Sequence, residues 1–123
     1  MEWIDALLLS QPGAEKDYKA EWQWDRYLVD GRMFAAFCQP GAAHRDYAGR
    51  RVLTLKCDPV RAELLRAEFA AILPGFYMDK RNWISVDLDG GVPEDVLREL
   101  CGDSYRLVFG KLTKKRQKEI LEG

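Results

Sequence analysis

Tyr27-Leu28-Val29-Asp30-Gly31-Arg32-Met33-Phe34-Ala35-Ala36-Phe37 places two apolar, β-prone runs on either side of an Asp-Gly pair. That pair accepts the positive φ angles of a tight hairpin turn, so the segment predicts two antiparallel strands. Pro40-Gly41 stops the second run, and beyond a polar loop Val52-Leu53-Thr54-Leu55 reads as a third strand. Asp58-Pro59 then starts a helix, because Asp58 can accept from the free amides while Pro59 suits the first helical position. This helix is predicted to run to about Phe69 with Val60, Leu64 and Leu65 inward. Hairpin-connected strands imply a mainly antiparallel sheet with helices gathered against one face, a two-layer α+β fold.

The flanking segments fit the same plan. Trp3, Ile4, Leu7 and Leu8 share one helical face, and Pro12-Gly13 ends that helix. Pro74-Gly75 breaks the chain before Asn82-Trp83-Ile84-Ser85-Val86-Asp87-Leu88-Asp89, an alternating strand expected to turn Ile84, Val86 and Leu88 to the core. Pro93, Glu94 and Asp95 open a helix with the stripe Val96, Leu97 and Leu100. Gly102 is expected to end it, and Asp103 to cap another helix carrying Tyr105, Val108, Phe109 and Leu112 on one face. The predicted order is helix, three strands, helix, strand, then helices, in a single domain spanning 1–123.

Composition narrows the function. The 123 residues include 19 Lys+Arg and 20 Asp+Glu for a net charge of −1, with 47% apolar residues. A chain of this length buries roughly two-thirds of its unfolded surface, so it needs no disulfide or metal support. No apolar run reaches the ~20 residues that span a bilayer, and Glu2 and Asp5 spoil a signal peptide, so no membrane is involved and a cytoplasmic location is expected. Cys38, Cys57 and Cys101 are too widely spaced for a zinc knuckle or a Cys-x-x-Cys redox pair. A nucleophilic pair of Cys38 with His44, the single histidine, lacks an orienting third group. Asp87/Asp89 and Glu94/Asp95 are explained by an outward strand face and a helix start. A general base at Asp79 near Lys80 has no partner group. No cofactor motif is present, and no enzyme is expected.

The near-neutral total conceals a sorted pattern: residues 1–30 carry −4, 31–56 carry +4, 57–103 carry −5 and 104–123 carry +4. One basic group comprises Arg32, Arg45, Arg50, Arg51 and Lys56; the other comprises Arg106, Lys111, Lys114, Lys115, Arg116 and Lys118. If Thr113 caps a last helix, Lys114, Lys115 and Arg116 crowd a first turn whose dipole disfavours cations, an arrangement suited to a phosphate. The alternative is an uncapped, solvated continuation of the preceding helix. In Phe76-Tyr77-Met78-Asp79-Lys80-Arg81-Asn82-Trp83, two cations lie between aromatic residues, which can combine phosphate contact with stacking. The alternative there has Phe76 and Met78 covering the sheet edge, Trp83 packed on a helix, and Lys80 and Arg81 in water.

These stretches carry a resemblance. Gln11 to Tyr18, Gly31 to Ala35, Leu55 to Pro59, Pro74 to Trp83 and Asp103 to Val108 resemble, in order, the MmcQ/YjbR family of small bacterial proteins described as DNA-binding. The resemblance implies an antiparallel sheet flanked by helices, similar to secretion-chaperone-like folds and to a double-wing DNA-binding domain. The chain departs from the family pattern with Asn82 in place of His, Asp79 in place of Asn, and Phe76-Tyr77 in place of Tyr-His.

The expected function is non-enzymatic DNA binding through local patches, with Lys80, Arg81, Lys111, Lys114, Lys115 and Arg116 as phosphate contacts and Arg50 and Arg51 as a second patch. The rival expectation is a protein-interaction or chaperone-like module using the sheet face, motivated by Trp3, Trp22, Trp24 and Trp83. Trp22 and Trp24 are expected to share a strand face.

Overall fold

In a computed structural model, which describes residues 2–123, the α+β architecture is built on one six-stranded sheet and four α-helices. Chain order is α1 (Glu2–Leu9), β1 (Ala14–Lys19), β2 (Trp24–Val29), β3 (Arg32–Cys38), a 3-10 turn (Ala42–Tyr47), β4 (Val52–Lys56), α2 (Pro59–Glu68), β5 (Ile72–Pro74), β6 (Trp83–Asp87), α3 (Glu94–Phe109) and α4 (Lys114–Glu122). The sheet order is β1-β2-β3-β4-β6-β5, and every neighbouring pair is antiparallel. The β2–β3 hairpin turns at Asp30 and Gly31, with φ of 52° and 75°.

Alternation divides the sheet into two faces. Tyr27, Val29, Ala35, Leu53, Leu55, Ile84 and Val86 point to α1, α2 and α3 and form the main core with Ile4, Leu8, Leu65, Leu97, Leu100 and Tyr105. On the opposite face, a smaller cluster of Trp24, Ala36, Cys38, Val52 and Phe76 lies under the loops that follow β3 and β5. A bulge lets both faces be satisfied. Tyr27 pairs with Ala35 and Leu28 with Met33, so Phe34 has no partner on β2 and turns its ring to the helix side.

Several sequence expectations need correction. α2 buries Ala62 and Leu65, whereas Val60 and Leu64 lie in water. The helix rests on the sheet along a narrow stripe, so its other apolar residues have nothing to cover them. The two expected C-terminal helices are one, α3, running through Gly102. Gly102 is buried, and Asp103, rather than capping a new helix, pairs with Arg61 at 2.5 Å and with Arg106. Two strands escape sequence pattern. β1 is a polar edge strand, AEKDYK, with no apolar alternation to reveal it. β5 has three residues and ends in a proline, which only an edge strand tolerates because its missing N–H faces outward. Trp22 and Trp24 do not share a strand face: β2 begins at Trp24, which is buried, and Trp22 sits exposed in the preceding turn.

Candidate nucleic-acid interface

The cationic residues are positioned from the ends of β4 and β6. Lys56 and Trp83 are opposite each other in the last rung of that pair, and the Lys56 ammonium lies 5.7 Å from the centre of the indole. Trp83 therefore packs under a lysine on the sheet face away from the helices, not against a helix. Lys111, in the link from α3 to α4, comes up beside Lys56. Burial first, and the neighbouring Lys111 charge second, hold the Lys56 ammonium below the usual lysine range. The Asp79 carboxylate acts on Lys56 in the opposite sense, so this corner combines the Lys56 and Lys111 charges with one opposing carboxylate.

The loop between β5 and β6 borders the corner. Asp79 accepts from the Asn82 amide at 2.5 Å and from the Arg81 backbone N–H at 2.9 Å. The Asn82 hydrogen bond, followed by that from Arg81, keeps its carboxyl below the ordinary value. Asp79 thus folds the loop locally while its charge acts on Lys56. Lys80 donates to the Gly75 carbonyl and faces the Tyr47 ring at 6.0 Å, and Arg81 projects into water.

On the other flank, Leu112 is buried and fixes the start of α4. Thr113 does cap this helix, its hydroxyl accepting from the Arg116 N–H at 3.1 Å. Lys114 and Lys115 stand exposed in the first turn. Arg116 is engaged otherwise, 2.8 Å from Asp30 in the β2–β3 turn and 3.5 Å from Glu119. Arg50 and Arg51 are engaged as well: Arg50 lies 3.3 Å from Asp87, and Arg51 grips Asp89 through two bonds of 2.7 and 3.0 Å. Among the described residues, Lys80, Arg81, Lys111, Lys114 and Lys115 make no ion pair, and neither does Lys56. Sequence reasoning placed Lys56 in a basic group but not in the site. Only the cross-strand register and the return of the chain after α3 bring it to Lys111.

The model of the YjbR family matches residues 9–107. The chain belongs to the YjbR family. It is 30% identical over 122 residues to the uncharacterized protein YbdF of Escherichia coli O157:H7, covering 99% of this chain and 94% of that protein. It is 26% identical over 114 residues to the uncharacterized protein YjbR of Escherichia coli K12, covering 93% and 91%. Among solved structures, the crystal structure of DR2400 from Deinococcus radiodurans, a DUF419 domain, superposes with a TM-score of 0.80 at 30% identity over 97% of this chain and 86% of that one. A crystal structure from Pseudomonas syringae shares the fold, with a TM-score of 0.70 at 23% identity over 86% and 95%. The YjbR-family chain has no helix, among its described residues, long and apolar enough to cross a membrane.

The three thiols are buried. Burial pushes Cys38 up to about 11 and Cys101 up to about 12, and raises Cys57, so each thiol stays protonated near neutrality. His44 sets its ring edge-on against Phe76 and Tyr77, at 5.1 and 5.4 Å. Among the described residues, no group of three or more His, Cys, Asp and Glu is placed to hold a metal ion.

Proposed function

We propose that this YjbR-family protein is a cytoplasmic, non-catalytic module that binds DNA phosphates at the corner formed by Lys56, Lys111, Lys114, Lys115, Lys80 and Arg81. The observation that carries this reading is that, among the described residues, these six cations make no ion pair, whereas Arg50, Arg51 and Arg116 are each matched to a carboxylate. Burial first, and repulsion from the Lys111 ammonium second, also hold the Lys56 ammonium below the usual lysine range. A phosphate between them would relieve that repulsion, and the exposed first turn of α4 adds two cations and free amides. The proposal concerns phosphate contacts and assigns no base contact.

Salt titration of binding to duplex DNA tests it. Each phosphate neutralised contributes a slope of about 0.9 in log K against log salt, so the variant Lys111→Ala/Lys114→Ala/Lys115→Ala should flatten the slope by nearly three. Lys56→Met should weaken binding while leaving the thermal midpoint unchanged or raised, since it removes the repulsion together with the contact. Wild-type slope and affinity retained in the triple variant would sink the reading.

A further inference from the structure

A second site lies on the same sheet face but is built on different chemistry. A cleft of about 720 Å³ opens between the start of β2 and the β5–β6 loop, walled by Trp22, Trp24, Phe76 and Tyr77 with the thioethers of Met33 and Met78. Its volume falls within the range of roughly 300–1,000 Å³ that suits a small molecule. The rings form a continuous run: Trp22 to Trp24 at 5.3 Å, Trp24 to Phe76 at 6.3 Å and Phe76 to Tyr77 at 4.7 Å between centres. Trp24 and Phe76 are buried as a floor, whereas Trp22 is 53% and Tyr77 70% exposed.

Trp22 lies edge-on to Trp24 with the Lys19 ammonium 5.4 Å from its ring centre, and Tyr77 lies against Phe76 and His44. Tyr77 itself, and Gln23 next to Trp22, have φ of 56° and 58°, backbone that non-glycine residues adopt only under constraint. The floor is fixed from beneath by a buried chain in which the Phe76 N–H donates to Ser85 Oγ at 2.8 Å and that hydroxyl meets Thr54 Oγ1 at 2.7 Å.

The electrostatics select the occupant. Glu21 and Arg26 are the carboxylate and guanidinium that line the cleft, and the His44 imidazole lines it as well, set edge-on against Phe76 and Tyr77 at 5.1 and 5.4 Å. Lys19 compensates Glu21 at 3.1 Å, and Asp17 takes Arg26 through two bonds of 2.6 and 2.8 Å. An ionic ligand would meet charges already neutralised by these partners and gain only a shared contact, whereas a neutral ring leaves both pairs undisturbed and stacks on exposed aromatic faces. At the rim, the Gln39 amide nitrogen donates to the Gly49 carbonyl at 3.2 Å, leaving its own carbonyl oxygen to accept from a ligand N–H.

We infer that the cleft binds a small molecule through an uncharged, planar aromatic ring bearing an amide-like edge. This site is independent of the DNA reading: its residues are not those of the cationic corner, and the two stand or fall separately.

Four matched probes test it on the full-length protein, read by the indole N–H resonances of Trp22 and Trp24, assigned with Trp22→Phe. Benzamide should shift both resonances and bind about three- to tenfold more tightly than cyclohexanecarboxamide, which keeps the amide but not the flat ring. Benzamidine and benzoate, the same ring made cationic and anionic, should bind more weakly than benzamide. Trp22→Ala should weaken benzamide by about tenfold, and because Trp22 lies exposed in a turn, its thermal midpoint should stay near wild type. Lys114→Ala/Lys115→Ala should leave benzamide binding untouched. Equal binding of the saturated amide, preference for either charged ring, or no response of the indoles to any probe overturns the inference. A response confined to apolar peptides also overturns it, by assigning the face to a protein partner.

Discussion

Ser104 shows how one hydroxyl can join two layers. The bulge at Phe34 leaves that carbonyl without a partner on β2, and the β3–β4 ladder ends one rung short of it, at Ala35 and Leu55. Ser104, fully buried on α3, donates to the Phe34 carbonyl at 2.5 Å and accepts from the Lys56 N–H at 2.8 Å, replacing the missing rung. Ser104→Ala strands both backbone groups in the core, so it should destabilise the protein by about 2–4 kcal/mol. Urea denaturation with an unchanged m value measures this, and a loss below about 0.5 kcal/mol would mean that water replaces the hydroxyl. Sequence alone gave Ser104 no role, because the bulge that creates the need depends on the register between β2 and β3.

Asp5 makes the corresponding contact on α1, accepting from Lys16 at 2.8 Å and from the buried Tyr27 hydroxyl at 2.6 Å. Those two hydrogen bonds, Lys16's first, hold its carboxyl below the ordinary value. A lowered folded value means that stability is fully present above the unfolded value near ~3.9 and is lost as pH falls through the folded one. Asp5→Asn should therefore lower the thermal midpoint at pH 7, and the gap to wild type should close below about pH 4. A gap that stays constant across this range would show that geometry rather than ionisation matters there.

The elements legible in sequence are those whose ends carry local chemistry. The hairpin was legible because Asp30-Gly31 decides it without reference to the rest of the chain, and α2 because Asp58 accepts from the Arg61 N–H at 3.2 Å with Pro59 at its first position. β1 was not legible because it is an edge strand whose ladder is made with β2 and whose side chains cover little. α3 was split in two because glycine usually stops helices, yet Gly102 lies where a side chain would crowd Arg106. α4 depends on both kinds of information. Its start is written in Thr113, but its position rests on Arg116 at Asp30 and on Ile120 against Gly13, where a Cβ would come within 2.8 Å of Ile120 Cγ2. Gly13 also has φ of 71°, so Gly13→Ala is strained and pushes α4 outward. Amide exchange over 114–122 should rise in this variant ahead of the rest of the chain. DNA affinity should fall although no cation is lost. Exchange rising everywhere together would show that Gly13 supports the whole fold rather than the docking of this helix.

Across the whole molecule, the alternating charge blocks of the sequence fold against one another. Arg50 and Arg51 from the second block meet Asp87 and Asp89 from the third, and Arg116 from the last meets Asp30 from the first. What remains after this pairing, rather than the total of −1, is the field a polyanion would meet. The sequence could list every cation but not say which were already taken, since the partners lie tens of residues apart. A comparison at equal net charge separates the two views. Arg50→Ala/Arg51→Ala and Lys114→Ala/Lys115→Ala each remove two positive charges. If DNA responds to overall charge, both should weaken binding alike. If it contacts the unpaired corner, only the lysine variant should flatten the salt dependence, by about 1.8, at 0.9 for each lost phosphate contact. The arginine variant should keep the wild-type slope and instead loosen the contact between the β4 entry and the end of β6. Its slope falling as far as that of the lysine variant would place the phosphate contacts on the paired arginines and remove the corner from the DNA-binding surface.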